Sequence, residues 1–491
     1  MKYLQNLDNH IIPAPLSLKY LSDKAIDLSD FALESTVGAE FVAELLNKKF
    51  QFSGNNSKVL KLILNENLAD DEEYCIYLNN NGGVIEFASY RAGLYAVETM
   101  KQLAVGNCVF PCEIADKPQL KMRGISLCLQ NLRHADVNDV LYLIEMMGKF
   151  KLNTLLLEYG QRFPFINGHE VLRTPGSFSE DDVKKIEEKC RELDIEVIPL
   201  IQCLGHNGYI GIHEEYQHLF EPGAKFAGDL QLCPLKQESF ELFAELATQI
   251  MNAHPNGKYF HIGADEVRSL GNCPDCAEFA EKYGKNQLYI DYVNKACDWV
   301  IKQQRIPIVW DDMLGHYPEI LPFLNKKAII MYWDYWAIKE TSPFWVGRMG
   351  NNFQIADKNI DAENFDSAEK KILDAFAKKV DMQECLAQDK VKEFKKYLGD
   401  ELPKRFSSFP FYKFYQDMGF QVIGVPSALG DPDDDENGMP NFVRSLENIR
   451  AFADKCKKEN SMGMITSSWH NFPHEILLTG IMQTAQNCWK K

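Results

Sequence analysis

A chain of 491 residues, 45% hydrophobic and 25% charged, has the make-up of a globular protein with room for one large domain and a smaller companion. Its net charge of -17 opposes nucleic acid or anionic membranes as partners, because the phosphates are repelled. Thirteen scattered cysteines fit reduced thiols in the cytoplasm better than a disulfide framework. Neither the amino terminus nor any later stretch has the continuous apolar run of a signal peptide or membrane span, so a cytoplasmic location is expected. Nothing in the pattern assigns an oligomeric state.

In the first 118 residues, Val59-Leu-Lys-Leu-Ile-Leu64 and Tyr74-Cys-Ile-Tyr-Leu78 read as strands. Gly83-Val-Ile-Glu-Phe-Ala88 reads as a third, entered through the hairpin-type turn Asn79-Asn-Asn-Gly-Gly83. Residues 90–103 carry helical periodicity, with Leu94, Val97 and Met100 on one side. A small α+β domain over 1–118 is expected, closed by the breaker Pro118.

From 119 to 491 the pattern is strand then helix, repeatedly. Buried strands are expected at 124–129, 154–158, 196–201, 259–263, 307–310, 328–333, 422–426 and 462–467. Between two of them, Val183, Ile186, Cys190 and Leu193 form a helical stripe behind the capping sequence Ser179-Glu-Asp-Asp182. Eight such strands point to a (β/α)8 TIM barrel, with a helical insertion near 337–418 whose richest part is 368–398.

A barrel keeps its chemistry where its strands end, and there the polar residues gather. Glu158 and Tyr159 follow the second strand, Gly205-His206-Asn207 the third, and Asp265-Glu266 the fourth. Trp310-Asp311-Asp312 follow the fifth, Trp333 to Trp336 the sixth, and Trp469-His470-Asn471 the eighth. Hydrogen-bonding groups mixed with indoles suit a sugar, whose apolar face packs on an aromatic ring. The adjacent acids Asp265 and Glu266 reach one substrate only if the chain leaves strand geometry, and Gly263 and Ala264 permit that turn. Taken alone, Asp265 reads equally well as a helix cap and Glu266 as a solvated side chain.

His261-Ile-Gly-Ala-Asp-Glu266 resembles the signature of glycoside hydrolase family 20, the β-N-acetylhexosaminidases. Pro199-Leu-Ile-Gln-Cys-Leu-Gly-His206, Trp310-Asp-Asp-Met313 and Leu156-Leu-Glu-Tyr159 are similar to its hexosaminidase D-like branch, and residues 90–103 resemble the close of the small domain before the barrel in bacterial members. The resemblance implies exo-hydrolysis of terminal β-linked GlcNAc or GalNAc with retention, in which the substrate's own acetamide is the nucleophile. It implies that Asp265 orients the acetamide and that Glu266 is the general acid and base. Asp265 is then expected ionised and Glu266 protonated near neutral pH, pushed apart by repulsion and burial. It further implies that Arg123 binds sugar hydroxyls, against the competing reading of a salt bridge between domains. His206 is expected beside the acid pair, Trp310, Trp333 and Trp469 around the sugar, and either Tyr332 or Tyr335 on the acetamide oxygen. Asn471, following His470, stands where a family glutamate is common, and is expected to contact the sugar. The chain also departs from the family at Leu127-Cys128-Leu129, where an aspartate is usual, and at Gln202-Cys203-Leu204-Gly205.

No cofactor and no metal is expected. Cys273-Pro-Asp-Cys276 offers two thiolates where a structural zinc needs four ligands, and no second such pair exists, so a structural loop is the reading. Two other classes fit parts of the pattern. A metal-dependent barrel hydrolase would use His206, His261, Asp265 and Asp311, without a His-x-His strand motif. A carbohydrate-binding pseudoenzyme would keep the tryptophans without turnover.

Overall fold

The side chain of Asn79 accepts hydrogen bonds from the N–H groups of Asn81 and Gly82 (2.7 and 3.1 Å), and this turn pairs Tyr74–Asn79 with Gly82–Phe87. The computed structural model describes residues 10–53, 58–130, 136–224, 230–335, 344–349, 352–357, 411–429, 442–469 and 474–490. The hairpin lies inside a six-stranded sheet of order Ser17–Tyr20, Cys112–Asp116, Tyr74–Asn79, Gly82–Phe87, Lys58–Leu64, Phe31–Ser35. Helices Glu40–Lys49 and Tyr90–Leu103 pack on it, burying Val42, Leu46, Val97 and Met100 against Leu60, Ile76 and Ile85. The edge strands Ser17–Tyr20 and Phe31–Ser35, and Cys112–Asp116 beside the first, are not announced by the sequence pattern, being short and half-polar.

The second body is a (β/α)8 TIM barrel. Its parallel strands are β1 (Met122–Cys128), β2 (Thr154–Glu158), β3 (Glu196–Leu200), β4 (Tyr259–His261), β5 (Ile306–Trp310), β6 (Ile329–Trp333), β7 (Gln421–Val425) and β8 (Gly463–Ser468), and β8 closes on both β7 and β1. Strand alternation splits the apolar residues into two cores. Leu156, Ile198, Ile308, Met331, Ile423 and Ile465 fill the barrel, while Leu155, Val197, Phe260, Val309, Ile330 and Val422 face the helices. Helix Glu180–Glu192 starts with the expected capping box, Ser179 and Asp182 each bonding the other's backbone N–H.

At the amino-terminal end of β1, Arg123 is fully buried and points away from the strand ends that carry the chemistry. Its guanidinium forks onto Glu72 of the amino-terminal sheet domain through two 2.9 Å bonds, and donates to Tyr95 Oη at 2.8 Å. The carbonyls of Leu120, Lys121 and Lys151 accept its remaining N–H groups, and Trp489 lies beneath it at 5.1 Å. The expectation that Arg123 binds sugar is therefore corrected: it is the inter-domain ion pair. Five donors and a rigid plane suit arginine to that task.

Between β6 and β7 the described residues form a hairpin of Phe344–Met349 with Asn352–Asp357 and a helix Phe411–Asp417; 368–398 lies outside the described residues. No helix among the described residues is long and apolar enough to cross a membrane.

Candidate active site

Strand β4 ends early because the backbone turns left-handed: φ is +67° at Gly263, +75° at Ala264 and +47° at Glu266. A side chain at Gly263 would collide with Gln202 Oε1, which accepts the Ala264 N–H at 3.2 Å. Tyr289 Oη donates to the Ala264 carbonyl at 3.0 Å, and Asp312 Oδ2 accepts the Glu266 N–H at 2.8 Å. Non-glycine residues held at positive φ by such a frame are the strain that functional sites store. Asp265 and Glu266 thereby turn to one side, and His206, itself at φ +52°, sits 3.4 Å from Asp265 and 3.3 Å from Glu266.

These charges set each other's protonation. Burial opposes a charged imidazole, but the Asp265 and Glu266 carboxylates together outweigh it and carry His206 up to about 11. The hydrogen bond from His206, with the charges of His206 and Arg268, holds Glu266 below the usual carboxylate range against its own burial. Arg268 completes the pair at 2.7 Å from Glu266. The expected protonated Glu266 is thus corrected: His206 and Arg268, both within ion-pair distance, favour its anion. Removing Arg268 raises the Glu266 pKa, because a cation that favours the anion is gone. An activity that needs Glu266 protonated falls as pH rises through that pKa. Arg268→Ala is expected to move the basic limb of the kcat/KM profile to higher pH, and an unmoved limb would exclude Glu266 as the titrating acid.

Behind the pair lies a second carboxyl. Glu158 ends β2 in register with Cys128 of β1, buried, with Cys128 and Gln202 as hydrogen-bond partners. Burial pushes it up to about 7, reinforced by the charge of Asp265. The sequence placed Glu158 at a strand end but gave it no part in the site. Burial also pushes Asp311 up to about 7; Tyr415 Oη (2.9 Å) and the Trp333 N–H (3.1 Å) hold it.

The aromatic residues separate by strand face. Trp310 and Trp333 point into the barrel, as do Tyr335 and Trp469 beyond the strand ends. Trp333 stacks on Tyr335 (5.1 Å), Trp310 meets Trp469 (6.0 Å), and the Trp469 indole donates to Tyr335 Oη at 2.7 Å. Tyr332 points the other way, among Tyr412 and Phe452 of the outer helices, so it is removed from the candidate list and Tyr335 stands. Asn471 and His470 lie outside the described residues. Two buried polar atoms of this cluster, Asp265 Oδ1 and Trp310 Nε1, find no hydrogen-bond partner among the described residues.

The four residues of a metal-dependent hydrolase do not converge. His261 is fully buried, its Nδ1 taking the Gly263 N–H at 2.9 Å, and burial holds its pKa well below the imidazole range. Metal-ligand atoms do converge elsewhere among the described residues, at Glu221, Cys233, Cys273 and Cys276. The structural-loop reading of the last two cysteines is therefore incomplete.

Residues 120–345 match the family model described as Glycosyl hydrolase family 20, catalytic domain. The matched segment, a little under half of the chain, is similar to that catalytic domain. Hexosaminidase D of Bos taurus is 32% identical over 211 residues, 40% of this chain and 59% of the relative, so the chain spans less than two thirds of that relative's length. The barrel with its amino-terminal domain is also similar in fold to solved structures. The β-N-acetylhexosaminidase of Bacteroides fragilis has a TM-score of 0.66 at 17% identity, covering 98% of this chain and 91% of that one. A family 20 exo β-N-acetylglucosaminidase of Vibrio harveyi in complex with N-acetylglucosamine gives 0.65 at 18% identity, over 98% and 73%.

Proposed function

We propose that this chain is an exo-acting β-N-acetylhexosaminidase that releases terminal β-linked GlcNAc or GalNAc with retention, the substrate's acetamide serving as nucleophile. The observation that carries the reading is the pair Asp265–Glu266, two adjacent acids turned to one side of a barrel mouth and given unlike partners. The printed names of the hexosaminidase D and Vibrio harveyi relatives support the sugar class.

In this reading the acetamido group and the ring of the sugar lie among Trp310, Trp333 and Trp469. Asp265 Oδ1, buried without a partner among the described residues, accepts the acetamido N–H. Tyr335, oriented by the Trp469 indole, donates to the acetamide oxygen. That oxygen bonds to the anomeric carbon as the glycosidic C–O bond breaks, giving an oxazolinium ion whose positive charge Asp265 offsets. The arriving aglycone replaces Arg268 against Glu266, which regains a proton from its partnership with His206 and passes it to the leaving oxygen. Glu266 then removes a proton from water, which bonds to the anomeric carbon from the face the aglycone left as the oxazolinium C–O bond breaks and the acetamide is restored.

The test is p-nitrophenol release from paired β-GlcNAc, β-GalNAc and β-glucoside substrates. Turnover of an N-acetyl sugar but not of the glucoside is the expected result, since glucose lacks the nucleophile. Asp265→Asn is expected to lower kcat about 10²–10³-fold, the scale of losing one preorganised electrostatic group. Full activity in that variant would remove acetamide participation, and no turnover of any substrate would favour a binding protein.

A further inference from the structure

Four side chains that sequence spacing cannot group meet behind the catalytic loops. Cys233 and Glu221 come from the long β3 connection, where Phe220 and Leu232 form an antiparallel bridge and Glu221 N–H bonds the Gln231 carbonyl at 3.0 Å. Cys273 and Cys276 come from the β4 connection, a few residues beyond Arg268. All four are buried, at 1% (Cys233), 2% (Glu221), 8% (Cys273) and 0% (Cys276) exposure. Their ligand atoms all lie within 4.8 Å of one another.

We infer that Glu221, Cys233, Cys273 and Cys276 form a tetrahedral structural zinc site that clamps the loop carrying His206 to the loop carrying Glu266. Cys233 Sγ stands 3.7 Å from Cys273 Sγ and 3.5 Å from Cys276 Sγ. Ligands at about 2.3 Å from a tetrahedral zinc are separated by about 3.8 Å, so the sulfurs are nearly in place. Glu221 supplies the second, independent observation. Its Oε2 is fixed by the N–H groups of Asn272 (2.8 Å) and Cys273 (2.7 Å), while the buried Oε1 meets no nitrogen or oxygen donor among the described residues, and the carboxylate faces the three thiols. A buried carboxylate oxygen left so is costly unless a cation meets it.

The surroundings are those of a thiolate–metal centre. Cys273 caps helix Pro274–Tyr283, whose positive end therefore faces the site, and the Cys276 N–H approaches Cys273 Sγ at 3.4 Å. Zinc uptake forms three Zn–S bonds and one Zn–O bond and releases the thiol protons to solvent. Four protein ligands leave no open position, so the role is structural.

The experiment is metal analysis of the whole chain purified under reducing conditions without chelator, and it is independent of the hydrolase reading. One zinc per chain is expected, and cobalt exchanged into the site is expected to give the visible bands of a tetrahedral thiolate complex. Cys276→Ser is expected to lose the zinc and the bands. Glu221→Gln, which preserves shape, is expected to fold and bind at least about tenfold more weakly. Reduced wild-type protein without stoichiometric zinc and without a cobalt–thiolate spectrum overturns the inference, as does a disulfide among these cysteines in the mass of the freshly isolated chain.

Discussion

Glu266→Gln is expected to lower kcat about 10²–10⁴-fold on a substrate with a poor leaving group, such as an N-acetylhexosamine disaccharide, the usual range for a positioned general acid. The amide keeps the size of the carboxyl, and Asp312 holds its backbone through the 2.8 Å bond to the Glu266 N–H, so the turn survives. What is lost is a group that can both give and take a proton. A dinitrophenyl glycoside leaves without protonation, so its first bond cleavage should be much less affected, and the burst of dinitrophenolate measures that. Equal loss on both substrates would point to damaged geometry instead of missing acid catalysis. Because His206 loses one of the two carboxylates that raise it, its pKa should also fall in this variant, readable from the imidazole proton shifts.

Arg123→Ala is expected to cost about 3–5 kcal/mol of stability, the scale for removing one partner of a buried ion pair and leaving the other uncompensated. Glu72 would stay buried with Arg91, at 3.6 Å, as its cation among the described residues, and three carbonyls would each lose a donor, Lys121 keeping that of Asn153. Arg123→Lys keeps the charge but not the fork, and is expected to recover part of that loss. Thermal unfolding of the three proteins, read beside KM, distinguishes the ion pair from a sugar-binding role. A sugar-binding residue would raise KM and leave unfolding unchanged. The inter-domain ion pair lowers the unfolding temperature and leaves KM of the folded fraction near wild type.

The eight barrel strands were legible because each is a short apolar run bounded by a polar turn, a local pattern that needs no partner to be read. The acid pair was legible for the same reason: Gly263 and Ala264 announce a break, and both adopt positive φ. Neighbouring charges were harder. Glu266 was expected protonated from burial and repulsion, yet Arg268, only two residues away, and His206 hold it ionised.

Local order along the chain therefore sufficed for the (β/α)8 architecture and for the place of the acids, since hydrophobic period and turn residues act within a few positions. It could not say which face of a strand looks inward. Barrel strands are apolar on both faces, so Tyr332 and Tyr335 read alike until the ring closed and sent one to the helices and the other to the pocket. Nor could it see across the fold. Arg123 found Glu72, and Cys273 and Cys276 found Cys233 and Glu221, through contacts that exist only once distant segments are packed together.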